Sequence, residues 1–154
     1  MSYLLERFGS GMHYIRIPAE EGEALLARFP GGRMRAVLPG GIAFSCALMP
    51  KAEGGFYVNL GKRVRGQAGL QEGSLVEIVF EADASEHQFD VPPEFDAVLE
   101  SDPAAAAAFA ALSPGRRRSI LYLVQQLRTP GSRIQRSLRI AQRLAAGITD
   151  PRRL

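Results

Sequence analysis

Three times in the last third of the chain a capping residue stands directly before a proline: Asp102-Pro103, Ser113-Pro114 and Thr129-Pro130. Proline loses nothing at the first position of a helix, where its missing N–H would be unpaired anyway. The Asp, Ser or Thr before it accepts a hydrogen bond from one of the other unpaired N–H groups. With Pro92-Pro93 opening one more segment, the spacing predicts helices over 93–101, 103–112, 114–127 and 130–146. Gly147 supplies the C-terminal stop. The alanine run 104–108 has high helix propensity and permits close packing.

The first ninety residues carry a different period. Residues 3–8 and 12–17 are short segments rich in aromatic and β-branched residues, 33–38 reads as a third strand, and apolar residues alternate over 42–49, 56–60 and 74–82, the pattern of half-buried strands. Gly9-Ser10-Gly11 suits a hairpin turn between the first two. Pro18 ends the second strand. Glu20, Glu21 and Glu23 then sit where a helix over 19–29 welcomes negative charge, and Pro30-Gly31-Gly32 stops it. Residues 62–68 form a short basic helix. In the segment 74–82, Val76, Ile78 and Phe80 point one way, and Glu77 and Glu81 the other. Six or seven short strands with one or two short helices predict a small β-barrel over 1–88, and the helices a compact subdomain over 89–154. The fold class is α+β.

Composition limits the alternatives. The chain has 154 residues, 46% hydrophobic and 23% charged, which is globular composition. Its one cysteine, Cys46, excludes an internal disulfide framework and fits a reducing cytoplasm. The opening residues MSYLLERFGSG lack a basic segment and a long apolar run, which predicts no signal peptide. No apolar run approaches the ~18 residues of a membrane span.

Charge is unevenly placed. Residues 1–110 hold 9 Lys and Arg against 15 Asp and Glu, and residues 111–154 hold 10 against 1. At ~100° per residue, Ile134, Leu138, Ala141, Leu144, Ala145 and Ile148 fall on one side of the last helix. That predicts an apolar stripe facing the core. Arg133, Arg136, Arg139 and Arg143 fall on the other side as a ridge. Arg116, Arg117 and Arg118 begin the preceding helix, where cations oppose the dipole. Glu94, Asp96, Glu100 and Asp102 are candidates to compensate them; an external anion is the alternative. Guanidinium forks suit carboxylate and phosphate. The candidate anion- or nucleic-acid-binding residues are therefore Arg116, Arg117, Arg118, Arg133, Arg136, Arg139 and Arg143, with Lys62, Arg63 and Arg65 of the short basic helix.

Catalytic signatures are missing. Cys46 lies mid-strand on the apolar face with Ile42, Phe44 and Leu48, the place of an inert buried thiol. His13 and His87 have no metal-site spacing, and no nucleotide-binding glycine fingerprint occurs. The expectation is a non-enzymatic chain with no cofactor and no metal.

Over nearly its whole length the chain resembles a bacterial group. From Val91-Pro92 through Phe109-Ala110-Ala111-Leu112-Ser113-Pro114, Arg116-Arg117-Arg118, Arg133, Arg136 and Leu144-Ala145-Ala146-Gly147 it is similar to the YdeI/OmpD-associated (OmdA-like) family, also called bacteriocin-protection proteins. Met12-His13-Tyr14, Ile17-Pro18, Phe44-Ser45, Leu48-Met49-Pro50, Lys62 and Gly69-Leu70 through Val79 resemble the domain of unknown function DUF1905 that precedes it. That resemblance implies a double-split β-barrel; the Gly69-to-Ile78 pattern is also similar to AbrB/MazE-like proteins, many of which bind DNA. Two departures stand out. Where the family has a lysine and then Glu-Thr-Arg before the last helix, this chain has Arg128-Thr129-Pro130-Gly131-Ser132-Arg133, which keeps cation and hydroxyl but loses the carboxylate. Ser137 replaces a large aliphatic residue. The resemblance implies a fold and no established activity. The expected function is binding or stress protection through the arginine-rich surface, with nucleic acid or another polyanion as partner. The alternatives are a protein-interaction module or, third, a small-molecule-binding protein.

Overall fold

The computed structural model describes all residues, 1–154. They form two compact units, Met1–Gln88 and Phe89–Leu154. The fold is α+β, with antiparallel strands confined to the first unit.

Eight strands and two helices build that unit: β1 (Ser2–Arg7), β2 (His13–Ile17), α1 (Ala19–Arg28), β3 (Arg33–Val37), β4 (Ala43–Ala47), β5 (Met49–Pro50), β6 (Phe56–Asn59), α2 (Lys62–Ala68), β7 (Leu75–Glu77) and β8 (Val79–Ala82). They pair as two sheets, β5-β6-β2-β1-β7 and β4-β3-β8. The strand count exceeds the six or seven expected because two continuous runs change sheets midway. At Ile78 the run 74–82 leaves β1, where Tyr3 faces Val76, and joins β3, where Ala36 faces Phe80. At Leu48 the chain passes from β4 to β5. Both corner residues are buried. Corners of this kind join sheets that cross at a large angle. The hydrogen-bonded ladders do not close into a ring.

One cluster fills the space between the sheets, including Leu5, Ile15, Ile17, Met34, Ala36, Val58, Leu60 and Val76. Each comes from the inward set of an alternating strand, as the period-2 pattern requires. Phe44, Cys46 and Leu48 are buried from one face of the β4 run, and Glu77 and Glu81 are exposed on the other face of theirs. Gly22, in α1, is present for proximity: a Cβ there would lie 2.1 Å from the Phe56 ring.

The second unit is helical: α3 (Pro93–Ser101), α4 (Pro103–Ala110), α5 (Pro114–Gln125) and α6 (Pro130–Ala145). The three capping residues act as the sequence requires. Asp102 accepts from the Ala105 N–H at 3.1 Å, Ser113 from Arg116 at 3.3 Å and Thr129 from Ser132 at 3.1 Å. Thr129 and Ser132 form a reciprocal capping box. Phe95 and Phe109 meet edge to face at 5.2 Å inside a cluster with Ile120, Leu121, Val124, Ile140 and Leu144. Ala105 and Ala141 pack with Val98, and their small side chains let α3, α4 and α6 approach closely.

Candidate functional site

The arginine-rich helix turns a different face inward from the one its apolar residues predict. Ser137, Ile140, Ala141 and Leu144 are buried, and Arg133, Arg136 and Arg143 are half-buried beside them. Ile134 and Leu138 are 43% and 54% exposed, and Ala145 is exposed as well. Relative to expectation the helix is rotated about its axis, by ~60° when its buried positions are placed at ~100° per residue. Two causes act together. Ile140 lies on the arginine side and belongs in the core. The guanidiniums also find acceptors that a solvated ridge would not have.

Those acceptors are mostly backbone carbonyls at chain reversals. Arg133 Nε donates to Glu94 Oε1 at 3.0 Å and its Nη1 to the Leu127 carbonyl at 3.0 Å. Arg136 Nη2 donates to the Leu154 carbonyl oxygen at 2.9 Å, and Arg143 Nη1 to that of Arg153 at 2.6 Å. Arg139 is exposed. The ridge is thus three inward arginines and one outward.

The triplet at the start of α5 is compensated by a route the sequence did not reveal. Arg117 Nη1 donates to the carbonyls of Ala110 (2.9 Å) and Leu112 (2.6 Å). These are at the C-terminal end of α4, where carbonyls lack helical partners and the dipole is negative. A cation unfavourable for its own helix is thereby favourable for the one before. Arg116 is exposed and reaches Thr149 Oγ1 at 3.4 Å; Arg118 is half-buried. Of the acidic candidates, Glu94 serves Arg133, and Asp102 caps α4. Glu94 also takes its own backbone N–H, and that bond, with the Arg133 guanidinium, holds its carboxyl below the usual carboxylate range against the opposing effect of burial.

Lys62, Arg63 and Arg65 belong to the other unit. Lys62 and Arg63 are exposed on α2. Arg65 donates from Nε to the Leu60 carbonyl at 3.2 Å, and its Nη1 lies 3.3 Å from His13 Nε2.

Two arrangements in the first unit escape a reading of motifs. Phe8 and Tyr14 stack at 3.9 Å with Tyr57 edge-on, and the Lys51 ammonium lies 4.9 Å from the centroids of both stacked rings. Glu53 accepts from that ammonium at 2.9 Å, which raises the lysine's pKa and lowers the glutamate's. The lysine fills its own aromatic box. Beside α1, a cleft of about 310 Å³ is lined by Tyr3, Glu21, Ala24, Leu25, Arg28 and Phe80, among others. Its two central polar groups are engaged with each other: the Tyr3 hydroxyl donates to Glu21. Burial, then that bond, pushes the phenol pKa up.

No group of three His, Cys, Asp or Glu side chains converges as a metal site would need, and no helix is long and apolar enough to cross a membrane. On the outward face of α6, Ile134, Leu138 and Ala145 form an apolar strip beside Gln135, Arg139 and Gln142.

Comparison with known proteins matches the division of the chain. The family model for bacteriocin-protection, YdeI or OmpD-associated proteins (OmdA) matches residues 88–147. The model for DUF1905, a domain of unknown function, matches residues 3–80, half of the chain. Neither the curated proteins nor the solved structures give a match. This is the layout that the ordered motifs at Met12-His13-Tyr14, Gly69-Leu70 and Arg116-Arg117-Arg118 imply, and the chain belongs to the DUF1905 family, with an OmdA region after its β-rich unit.

Proposed function

We propose that the chain is a non-enzymatic binding protein whose helical unit docks an acidic protein partner through the outward face of α6. The observation that supports this most is the pair Ile134 and Leu138, one turn apart and about half exposed on an otherwise well-packed helix. Aliphatic residues with an adjacent exposed arginine are the composition of a protein interface: the apolar pair anchors and Arg139 selects for carboxylates. A protective role, as the OmdA family description words it, is one that binding of a partner can serve. Inward use of Arg117, Arg133, Arg136 and Arg143 leaves less cationic surface than the residue count implies, which favours this reading over nucleic acid.

The second reading, nucleic acid, draws on the exposed arginines Arg116, Arg128, Arg139, Arg152 and Arg153. The finer architecture is also our inference: the two corners at Leu48 and Ile78, and the single core between the sheets, support a double-split barrel. A cytoplasmic location is supported by Cys46, a lone buried thiol.

The test places a photo-crosslinking residue at Leu138 of the protein in its own cells. A discrete adduct with one acidic protein is expected, lost when Arg139→Glu is added. A titration with DNA and RNA at two salt concentrations runs beside it. Tight binding that falls steeply with salt, without a protein adduct, overturns the docking reading in favour of nucleic acid.

A further inference from the structure

Helix α1 turns one stripe of residues toward the cleft beside it. Glu21, Ala24, Leu25 and Arg28 all line that space, at the i, i+3, i+4 and i+7 spacing of one helix face. The opposite wall is apolar: the Tyr3 ring from β1, and Ile78 and Phe80 from the corner that leads into β8. Tyr3, Leu25, Ile78 and Phe80 are buried and form a floor. Ala24 is exposed, and its single methyl group leaves the middle of the cleft open. The space of about 310 Å³ equals about ten waters at ~30 Å³ each, the size of a small-ligand site.

The cleft carries one charge of each sign, at opposite ends of the stripe. Glu21 is in the first turn of α1 and Arg28 in the last. Seven residues at ~1.5 Å each separate them by ~10 Å along the helix. Glu21 is held in place: the Tyr3 hydroxyl donates to its Oε1, which leaves Oε2 to accept. Arg28 is held as well, its guanidinium 4.9 Å from the centroid of the Phe29 ring and without a carboxylate beside it. Stacking on a ring fixes the plane of a guanidinium and leaves its edge donors free for a bidentate acceptor. An anchored acceptor and an anchored fork thus face one apolar floor without pairing with each other.

We propose that this cleft binds a dipeptide with free ends and an aliphatic side chain. Its ammonium meets Glu21 Oε2, its carboxylate meets the Arg28 fork, and its side chain rests on Leu25, Ile78 and Phe80. Two extended residues span up to about 7 Å. A hydrogen bond of about 2.9 Å at each end raises that reach to about 13 Å, enough to meet both charges across ~10 Å of helix. A single amino acid has half the span and meets only one of them. A longer peptide must lift one end out of the cleft. The site belongs to the first unit and depends on nothing in α6, so this proposal and the docking reading fail separately.

The test titrates the full chain with the dipeptide alanyl-leucine by isothermal titration calorimetry. A dissociation constant of ~1 mM or tighter is expected. Acetylating the probe's amine, or converting its carboxylate to an amide, should each weaken binding at least about tenfold. Arg28→Gln should abolish the discrimination against the amide form and keep that against the acetylated form; Glu21→Gln should do the reverse. Ala24→Phe places a ring in the middle of the cleft and should abolish binding, with folding checked by circular dichroism. Arg28 is exposed, so the Arg28→Gln comparison decides the matter even where Ala24→Phe does not fold. Absence of saturable binding up to ~10 mM probe overturns the proposal. So does equal binding of the two capped forms, or undiminished binding by folded Ala24→Phe.

Discussion

Replacing Ser137 by alanine should make this protein more stable. Ser137 is completely buried on α6, and its Oγ has no hydrogen-bond partner. An unsatisfied hydroxyl removed from water costs about 1–3 kcal/mol. Alanine removes that cost and adds a few tenths of a kcal/mol, about 0.5, in helix propensity. Against this stand the lost dispersion contacts of one oxygen atom, about 0.1–0.2 kcal/mol each over a handful of neighbours. The favourable effects win, and Ser137→Ala should stabilise by about 1–2 kcal/mol. Urea denaturation followed by circular dichroism reads this as a higher midpoint with an unchanged slope, which separates stability from a change in compactness. A lower midpoint would refute the reasoning, since it would mean that the hydroxyl is bonded in the folded state.

Two further changes probe other parts of the structure. Gly22→Ala gains about 1 kcal/mol of helix propensity, but its Cβ would fall 2.1 Å from Phe56 Cδ2 and 2.8 Å from Cγ. Overpacking costs about 1–3 kcal/mol and wins at such a distance. The variant should unfold at lower urea, and Phe56→Leu in the same chain should restore the midpoint; a midpoint unchanged by Gly22→Ala would contradict the packing of α1 on β6. The depressed pKa of Glu94 carries a pH dependence of known sign. Its contribution is fully present above the unfolded carboxylate range, roughly pH 4.3, and is lost as pH falls through the lower folded value. Between those limits Glu94→Gln should show a flatter stability profile than the unaltered chain, and parallel profiles would contradict the assignment.

How much of this was legible depends on whether a signal was local. The Asp102, Ser113 and Thr129 caps are local devices, each fixed within four residues, and the structure contains all three. The alternation of Phe44, Cys46 and Leu48 likewise reports burial directly, because a strand has only two faces. Helix α6 is different. A helix has a continuous range of orientations, and its apolar residues specify only an average direction. The actual orientation is set by partners remote in sequence: Glu94 at Arg133, and the carbonyls of Arg153 and Leu154 at Arg143 and Arg136. Arg117 illustrates the same limit, since its acceptors are carbonyls, which have no signature in a sequence. The Lys51 box and the Tyr3–Glu21 bond depend on strand register and on the position of α1, neither of which a motif encodes. The change of sheet at Ile78 leaves no break in the alternation of its strand, so one expected strand became two.

The central claim is that the arginines of α6 divide into fold-holding and outward-facing residues. The direct measurement compares urea midpoints of Arg133→Gln and Arg139→Gln. Arg133 makes two charge-assisted hydrogen bonds in a partly buried setting, and its loss strands Glu94. A destabilisation of roughly 1–2 kcal/mol is expected, after allowance for solvent reaching the pair. Arg139→Gln should fall within about 0.5 kcal/mol of the unaltered chain. Equal midpoints for the two variants, or a greater loss in Arg139→Gln, would contradict the account.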